Sequence, residues 1–472
     1  MTVVEKTGAP APGGTARHAK TVLISVIGLH LVAETALTPF LPQLFQRLYG
    51  IEDPEATGLY IWICRIVGLA ALPLWGLAAR RWSLHKLVLA GLCGSAVLDL
   101  LLGLAPSYAA YTVLSTLIVT TNSALLLAYP AFIAEHGDES EGGERARLAG
   151  VCTLVVVFHL SVVVSTMVGA GVLSLPEPRI GISAFAVLDT LLAVVTYRIL
   201  GRRPDLKTDG SAADGASEAA PARAGAAAAP SARSSSRVSW FMMLAYAALI
   251  GVAFDFSVNV SRPFFTEFSD SLGSGSVGSA VLFFLPSVSA LAVLPSVRRC
   301  YDLLGDRLLP LALTVGAAGL AWTWLADGLP GLVGGRLLFG VGLGLGQVAV
   351  ELRMFRATGT KGPAFTAVET ARSAGLLAAP LAATAAVSYD LALPLAVAAA
   401  VQMGAAALSL RRTRSAAAPA SATPDPAVSE AGAARPAIPR QAGPVATAPE
   451  SPGPRPALTA PASPAHSEEK HR

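Results

Sequence analysis

The chain has 472 residues, of which 53% are hydrophobic and only 14% are charged, and its mean hydropathy is +0.56. Soluble domains carry about 25% charged residues, so this composition excludes an ordinary cytosolic enzyme, a nucleic-acid-binding protein and a secreted domain. The formal net charge of +4 is small, and the positive residues are concentrated in particular loops. The composition therefore indicates a protein that lies in a membrane.

Twelve apolar segments follow one another along the chain, and each is long enough to cross a hydrocarbon core of about 30 Å. We expect every segment to be an α-helix, because a backbone that faces lipid must satisfy its own hydrogen bonds. The predicted helices cover residues 21–43, 57–79, 87–105, 109–134, 148–173, 180–197, 238–261, 277–297, 308–326, 331–352, 363–387 and 390–410.

The positive residues are distributed unevenly between the two sides of the membrane. With twelve crossings both termini lie on one side, and 29 of the 35 Lys and Arg residues fall in the termini and loops of that side. Only three fall on the opposite side, and three more lie inside the apolar segments. Because cytoplasmic loops carry the excess of Lys and Arg, we expect a multi-pass protein of the cell membrane with both termini in the cytoplasm.

Two polar stretches lie outside the apolar segments. Residues 201–237 are rich in Ala, Gly and Ser, and residues 411–472 are dominated by Ala, Pro and Ser, so neither can bury enough apolar surface to fold. We therefore predict a disordered cytoplasmic linker and a disordered cytoplasmic tail. Residues 1–20 then form a cytoplasmic N-terminal segment, and two six-helix bundles occupy residues 21–200 and 238–410.

The first helix of each predicted bundle contains a related pattern. Glu34 precedes Pro42 by eight residues, and Asp255 precedes Pro263 by the same distance. The two patterns are 221 residues apart and align without a gap. With six helices on each side of a polar linker, this repeat favours a duplicated architecture with a substrate site between the halves near the membrane midplane.

The loop after the second helix of each bundle carries the most specific pattern. Residues 76–86 read G-L-A-A-R-R-W-S-L-H-K, and residues 302–307 read D-L-L-G-D-R. These loops resemble the sequence G-x-L-A-D-R-x-G-R-K of the major facilitator superfamily, although Arg80 replaces the aspartate of the first copy and Ser83 replaces its second glycine. The resemblance covers about residues 20–410. It implies an all-α integral membrane protein with twelve transmembrane helices in two pseudo-symmetric six-helix bundles.

In that family the loop helps to hold one conformation, because its aspartate meets the positive end of a helix dipole and a nearby arginine. An alternative is that the arginines of the first copy serve only to set topology. The resemblance assigns this conformational latch to Gly76, Arg80, Arg81, Asp302, Gly305 and Arg307.

A glycine series after Arg336 also resembles the family pattern. Gly340 and Gly344, like Gly342 and Gly346, are four residues apart on one helix face. Such pairs let a neighbouring helix approach closely, so we expect tight packing there, with a sliding surface as the alternative.

Charged residues inside a transmembrane helix cost roughly a few kcal/mol and need a partner, a wet cavity or a function. His30, Glu34 and Thr38 follow one another at one-turn spacing on the first helix, which the resemblance places at the central cavity. A carboxyl there can load and release a proton as solvent access alternates, so Glu34 is the first proton-coupling candidate. His30 can share or relay that proton, or bind substrate. The alternative is a structural ion pair between Glu34 and Arg65.

Asp255 is the corresponding proton-coupling candidate of the second bundle, with Asn259 one turn further on. Glu369 and Arg372 are three residues apart and can form a local pair on one helix. The candidates for the cavity or substrate site are Thr38, Arg65, Asn259, Glu369 and Arg372.

Two further acids and one histidine lie on other predicted helices. The resemblance implies that Asp99 and Asp189, on the third and sixth helices, are peripheral, so we expect buried, hydrogen-bonded supporting roles. His159 stands alone on the fifth helix, and we expect a packing residue there rather than a ligand.

The sequence contains no phosphate-binding loop, paired cysteine spacing or histidine cluster, so we predict no cofactor, no metal site and no enzymatic activity. The resemblance implies a secondary transporter that works by alternating access. We expect proton-coupled efflux of a small amphipathic metabolite, drug-like compound or siderophore. The expected partners are this small molecule, protons and the lipid bilayer, with no nucleic acid. The alternatives are proton-coupled uptake of a small nutrient and a non-transporting membrane scaffold or sensor.

Overall fold

The structure, a computed structural model, describes residues 25–26, 28–79, 81–82, 84–126, 143–200, 232–358 and 363–417. Within these ranges every regular element is a helix. The predicted segment 1–20, residues 201–231 of the predicted linker and residues 418–472 of the predicted tail lie outside them. The flanking helices begin at Ala232 and end at Ala417, so they include residues that the composition assigns to the linker and the tail.

The helices occupy the apolar segments, and several begin with proline, whose fixed φ suits the first helical position. In the first half they are α1 (28–35), α2 (Leu41–Tyr49), α3 (Pro54–Ala79), α4 (Leu84–Gly103), α5 (Tyr108–Leu126), α6 (Gly143–Ser174) and α7 (Pro178–Leu200). In the second half they are α8 (Ala232–Val260), α9 (Phe265–Ser271), α10 (Gly275–Val293), α11 (Val297–Leu304), α12 (Leu308–Trp324), α13 (Leu329–Thr358), α14 (Pro363–Val387) and α15 (Leu393–Ala417).

The described residues contain eight helical stretches that are long and apolar enough to cross a membrane. One of these stretches, residues 275–324, includes both α10 and α12. The other seven correspond to α3, α4, α6, α7, α8, α13 and α15. The remaining predicted segments are occupied by α1, α5 and α14.

The first predicted helix, residues 21–43, is broken rather than continuous. It ends at residue 35, and a turn leads into a short 3-10 helix, Thr38–Phe40, before α2 begins. Pro39 and Pro42 each lie at the first or second position of the element that follows the break. Proline lacks an N–H and so cannot continue the hydrogen-bond ladder of the preceding turn.

The second half repeats this break. Helix α8 ends at Val260, and Pro263 lies in the turn before the short helix α9. The aligned residues Pro42 and Pro263 therefore lie beside a helix break in each repeat, although the first helix already ends at residue 35 and α8 continues to Val260.

The helices pack in matching pairs in the two halves. Helix α4 packs against α5 and α7, and α12 packs in the same way against α13 and α15. Helix α3 contacts α5 as α10 contacts α13. Across the halves, α3 packs against α14 and α6 packs against α10. Four helices thus form much of the junction between the halves.

An apolar core fills each half. In the first half, Phe45 is buried and makes edge contacts with Tyr60, Tyr108 and Tyr111 at centroid distances of 5.1, 5.2 and 5.5 Å. In the second half, buried aliphatic and aromatic side chains of α8 to α15 form a larger core, which also includes apolar residues of α6.

Glycines allow α13 to lie very close to two neighbours, as the series predicts. A Cβ at Gly342 would collide with the Gly316 backbone of α12, and one at Gly340 would collide with the Pro286 carbonyl of α10. The two glycines thus serve two different helix contacts.

Candidate functional site

The largest group of intramembrane charges among the described residues surrounds Arg372, where α8, α13 and α14 meet. Its Nε donates a 2.7 Å hydrogen bond to Asp255 Oδ2, and its Nη2 donates a 3.2 Å bond to Asp255 Oδ1. Its Nη1 lies 2.8 Å from Glu369 Oε1 and 3.0 Å from Glu351 Oε1. One guanidinium therefore serves three carboxyl groups.

The group around Arg372 is partly accessible. The exposed fractions of the side chains are 11% for Arg372, 16% for Asp255, 21% for Glu351 and 40% for Glu369. One guanidinium cannot neutralise three carboxylates, so the group contains more acidic than basic side chains and offers a place for a cationic substrate group.

Sequence reasoning found only part of this group. The spacing predicts the pair of Glu369 with Arg372, and the structure contains it. Asp255, the proton-coupling candidate of the second half, is the bidentate partner of Arg372, a contact that the sequence did not predict, and its coupling role stays a prediction. Sequence reasoning did not identify Glu351, although an acidic residue inside the predicted transmembrane segment 331–352 could have indicated a member of the site.

A second group lies in the first half, where the first span meets α4 and α7. His30 Nδ1 lies 3.0 Å from Asp189 Oδ1, and both side chains are buried. The Asp99 carboxyl is also buried, lies on α4, which packs against the α7 helix of Asp189, and interacts electrostatically with Asp189. The buried, hydrogen-bonded role expected for Asp189 is therefore present, and His30 is its partner.

Glu34 lies one turn from His30 and has a different environment. Its side chain is exposed, and it acts electrostatically on His30, Asp99 and Arg65. Among the described residues no salt bridge joins Glu34 to Arg65 within 4.0 Å. The ion pair expected as the alternative for Glu34 is therefore absent from this conformation.

Arg65 connects the halves. Its Nη2 donates a 3.5 Å hydrogen bond to Asn259 Oδ1 on α8, so the structure brings these two cavity candidates together. Thr38, the third candidate of this kind, has an exposed side chain at the start of the 3-10 helix.

Two buried hydrogen bonds also cross between the halves. His159 Nδ1 of α6 lies 3.2 Å from Ser287 Oγ of α10. Thr266 Oγ1 of α9 donates a 2.6 Å bond to the carbonyl oxygen of Pro39. The expected packing role of His159 thus includes a polar contact with the other half.

Arg336 and Arg262 are cations that sequence reasoning did not assign to the site. Arg336 is buried and donates hydrogen bonds of 3.0 Å to the carbonyl oxygens of Leu282 and Phe283. Its Cζ lies 3.9 Å from the centroid of the Phe265 ring. Arg262 Cζ lies 5.8 Å from the Phe158 ring centroid. Arg336 therefore fixes α13 against α10 rather than facing a cavity.

The first predicted latch loop is only partly described. Gly76 is half-buried near the end of α3, and the Arg81 side chain is exposed. Arg80 lies outside the described residues. The latch role of these three residues stays a prediction.

The second predicted latch loop forms an ion pair with α13. Gly305 has a φ of +52°, in the left-handed region that favours glycine, and it ends α11. Asp306, not Asp302, lies 3.0 Å from Arg356 Nη1, while the side chains of Asp302 and Arg307 are exposed. The carboxylate that meets an arginine here is thus four residues after the one that the resemblance assigns.

The part of the chain that the structure describes contains no group of three or more His, Cys, Asp or Glu side chains arranged to hold a metal ion. The four cysteines are free thiols. The charged side chains described above instead form two groups, one around Arg372 and one around the contact between His30 and Asp189.

Comparison with known proteins identifies the architecture. A family model described as Major Facilitator Superfamily matches residues 23–380, well over half of the chain. No curated protein sequence matches the chain. The family match and the paired helix packing agree, and the chain therefore belongs to the major facilitator superfamily, as a membrane transporter of small molecules with the twelve-helix fold of two six-helix bundles.

Proposed function

We propose that this transporter exports a small amphipathic compound in exchange for protons, from a cell membrane in which both its termini are cytoplasmic. The observation that carries the proposal is the position of Glu34. Its carboxyl is exposed beside Arg65, and Arg65 contacts Asn259 of the other half. Glu34 therefore faces the junction whose opening and closing would expose it to each side in turn.

The neighbours of Glu34 support a role in proton exchange. No salt bridge within the described residues holds the Glu34 carboxylate, so we assign the proton exchange of this proposal to it. His30 lies one turn away and can pass a proton on. In the other half, the three carboxyl groups around Arg372 provide a second set of acids near the junction.

The lining of the junction supports an amphipathic cargo. Helix α3 is strongly apolar, and it contacts α14 of the other half. The polar groups described at the junction are few, so the site offers apolar surface with a small number of charges, as is typical of pockets that bind amphipathic molecules. We propose export on this basis, while uptake would use the same proton chemistry in the opposite direction.

Transport by sealed everted vesicles with an imposed pH gradient tests this proposal. The panel would contain cationic, neutral and anionic amphipathic dyes, and a dye trapped inside would report lumenal pH. We expect a proton flux that depends on a transported dye in the wild type, and loss of this coupling in Glu34→Gln. Glu177→Gln, which makes the same change in an exposed loop, is the matched control and should keep wild-type coupling.

Three outcomes would contradict parts of this proposal. Unchanged coupling in Glu34→Gln would remove Glu34 from the proton pathway. Dye movement in the opposite direction would replace export by uptake. Absence of gradient-driven flux for the whole panel, with correctly inserted protein, would favour the scaffold or sensor function.

A further inference from the structure

The buried group of His30, Asp99 and Asp189 lies away from the junction, and its contacts suggest a specific chemistry. We propose that Asp99 and Asp189 share one exchangeable proton and that His30 positions this pair, so that the pair, rather than Glu34 alone, stores the coupling proton. The inference rests on the proposed proton coupling and names the site that would hold the proton.

The first step is the contact geometry. Asp189 is 0% exposed, and its Oδ1 is bound to His30 Nδ1 at 3.0 Å. Its Oδ2 is also buried and has no hydrogen-bond donor among the described residues. The Asp99 carboxyl, which is 9% exposed, lies on α4, the helix that packs against α7 beside Asp189, and it interacts electrostatically with Asp189. A proton on Asp99 would supply the donor that Asp189 Oδ2 lacks.

The second step is electrostatic. Two neighbouring carboxylates repel each other strongly when both are buried, so one proton is retained between them. His30, when protonated, can neutralise the one remaining carboxylate through its 3.0 Å contact. The group is then electrically neutral inside the membrane, which avoids the high cost of an unpaired buried charge.

The third step is the surroundings of the pair. Apolar side chains pack between the same helices, and they include Val26, Val88, Leu92 and Leu192. The ionisable groups that act on Asp99 from the first span are His30 and Glu34. These apolar neighbours separate the pair from water, so exchange of its proton requires a route through a polar side chain.

Glu34 provides such a route. It is exposed, lies one turn from His30 and acts electrostatically on both His30 and Asp99. A proton taken up by Glu34 at the junction can pass to the buried pair and return when the junction opens to the other side. Glu34 would then transfer the proton between the junction and the aspartate pair, and the pair would hold it.

Infrared difference spectroscopy of the purified full-length protein tests the pair without any knowledge of the transported compound. Spectra recorded at acidic and alkaline pH would be compared for wild type, Asp99→Asn, Asp189→Asn and Glu34→Gln. We expect a carbonyl band of a protonated carboxylic acid that titrates in the wild type and shifts on labelling with ¹³C-aspartate but not ¹³C-glutamate. Each aspartate variant should lose this band, and Glu34→Gln should retain it.

Isotope labelling of the wild-type protein tests the inference even when the aspartate variants fail to fold. Absence of a titrating, aspartate-labelled band in the folded wild type would overturn the inference, and so would its persistence in both aspartate variants. Loss of the band in Glu34→Gln together with a shift on glutamate labelling would assign the proton to Glu34 instead. If the band is present while transport is independent of the pH gradient, the pair stands and the proposed coupling fails.

Discussion

The hydroxyl group of Thr266 donates a 2.6 Å hydrogen bond to the carbonyl oxygen of Pro39, which is 227 positions earlier in the chain. Both groups lie at the helix breaks that the prolines create, one in each half. A broken helix leaves carbonyl oxygens without an N–H partner, and here the Thr266 hydroxyl of the opposite half donates to one of them. The two breaks thus hold the halves together at one end of the junction.

Replacement of Thr266 by Val should destabilise the protein, because the side chain is fully buried and the Pro39 carbonyl would lose its donor. A buried acceptor left without a partner costs about 1–3 kcal/mol. Thermal unfolding in detergent, followed by tryptophan fluorescence, would measure the expected fall in midpoint. Ser271→Ala is the control, since its hydroxyl bonds only to Phe268 of the same helix, and an equal fall in both variants would argue against the link between halves.

Removal of the guanidinium in Arg372→Gln should lower the unfolding midpoint more than Thr266→Val does. The change leaves three carboxyl groups without their common cation, and breaking a buried ion pair costs about 3–5 kcal/mol, with the lower value favoured here because the group is partly accessible. The double variant Asp255→Asn/Arg372→Gln should recover part of the loss, because it removes one unpaired charge.

Arg356→Gln provides the comparison for Arg372. Its ion pair with Asp306 is exposed, and such pairs contribute about 0–1 kcal/mol. Similar unfolding midpoints for the Arg372→Gln and Arg356→Gln proteins would show that the intramembrane group is not a stabilising ion pair.

Alanine at position 342 should disturb the contact between α12 and α13. Its Cβ would overlap the Gly316 backbone, which cannot move away without displacing the helix, and overpacking of this kind costs about 1–3 kcal/mol. Gly404→Ala makes the same change on α15, where a Cβ meets no atom within 4 Å. Its midpoint should equal or exceed that of the wild type, and a stable Gly342→Ala protein would refute the close approach.

Lysine in place of Arg336 should lower the unfolding midpoint although the charge is kept. A single ammonium cannot reproduce the planar fork that reaches the carbonyl oxygens of Leu282 and Phe283 and the contact with the Phe265 ring. Arg298→Lys, in an exposed position, should unfold like the wild type. An unchanged midpoint for Arg336→Lys would mean that charge alone matters at this position.

Hydropathy and length predict the helices well, because the cost of unsatisfied backbone groups in lipid leaves no other regular structure. The predicted segment 363–387 coincides with α14, whereas the segment 21–43 does not survive as one helix. Its prolines were visible in the sequence, but spanning helices often tolerate proline. Whether a given proline bends or ends a helix depends on the partner that donates a hydrogen bond to the freed carbonyl oxygen, and here that donor is Thr266 in the other half.

The sequence could not predict which residues from distant parts of the chain contact one another in the site. Periodicity places His30 and Glu34 on one side of a helix, but it contains no information on Asp189, which is 159 positions away. The same limit applies to Asp255 and Arg372, which are 117 positions apart. The local pair Glu369–Arg372 was predictable because both residues lie on one helix three positions apart.

The helices of this protein differ greatly in how deeply they are enclosed. In the apolar window of α3 only 6% of the residues are buried, compared with 67% for α13. Exchanges between apolar side chains on the exposed face of α3 therefore remove few packing contacts, although this helix lies at the junction and provides Arg65. A change in cargo preference is therefore accommodated more easily on α3 than on α13, where glycines lie directly against the backbones of neighbouring helices.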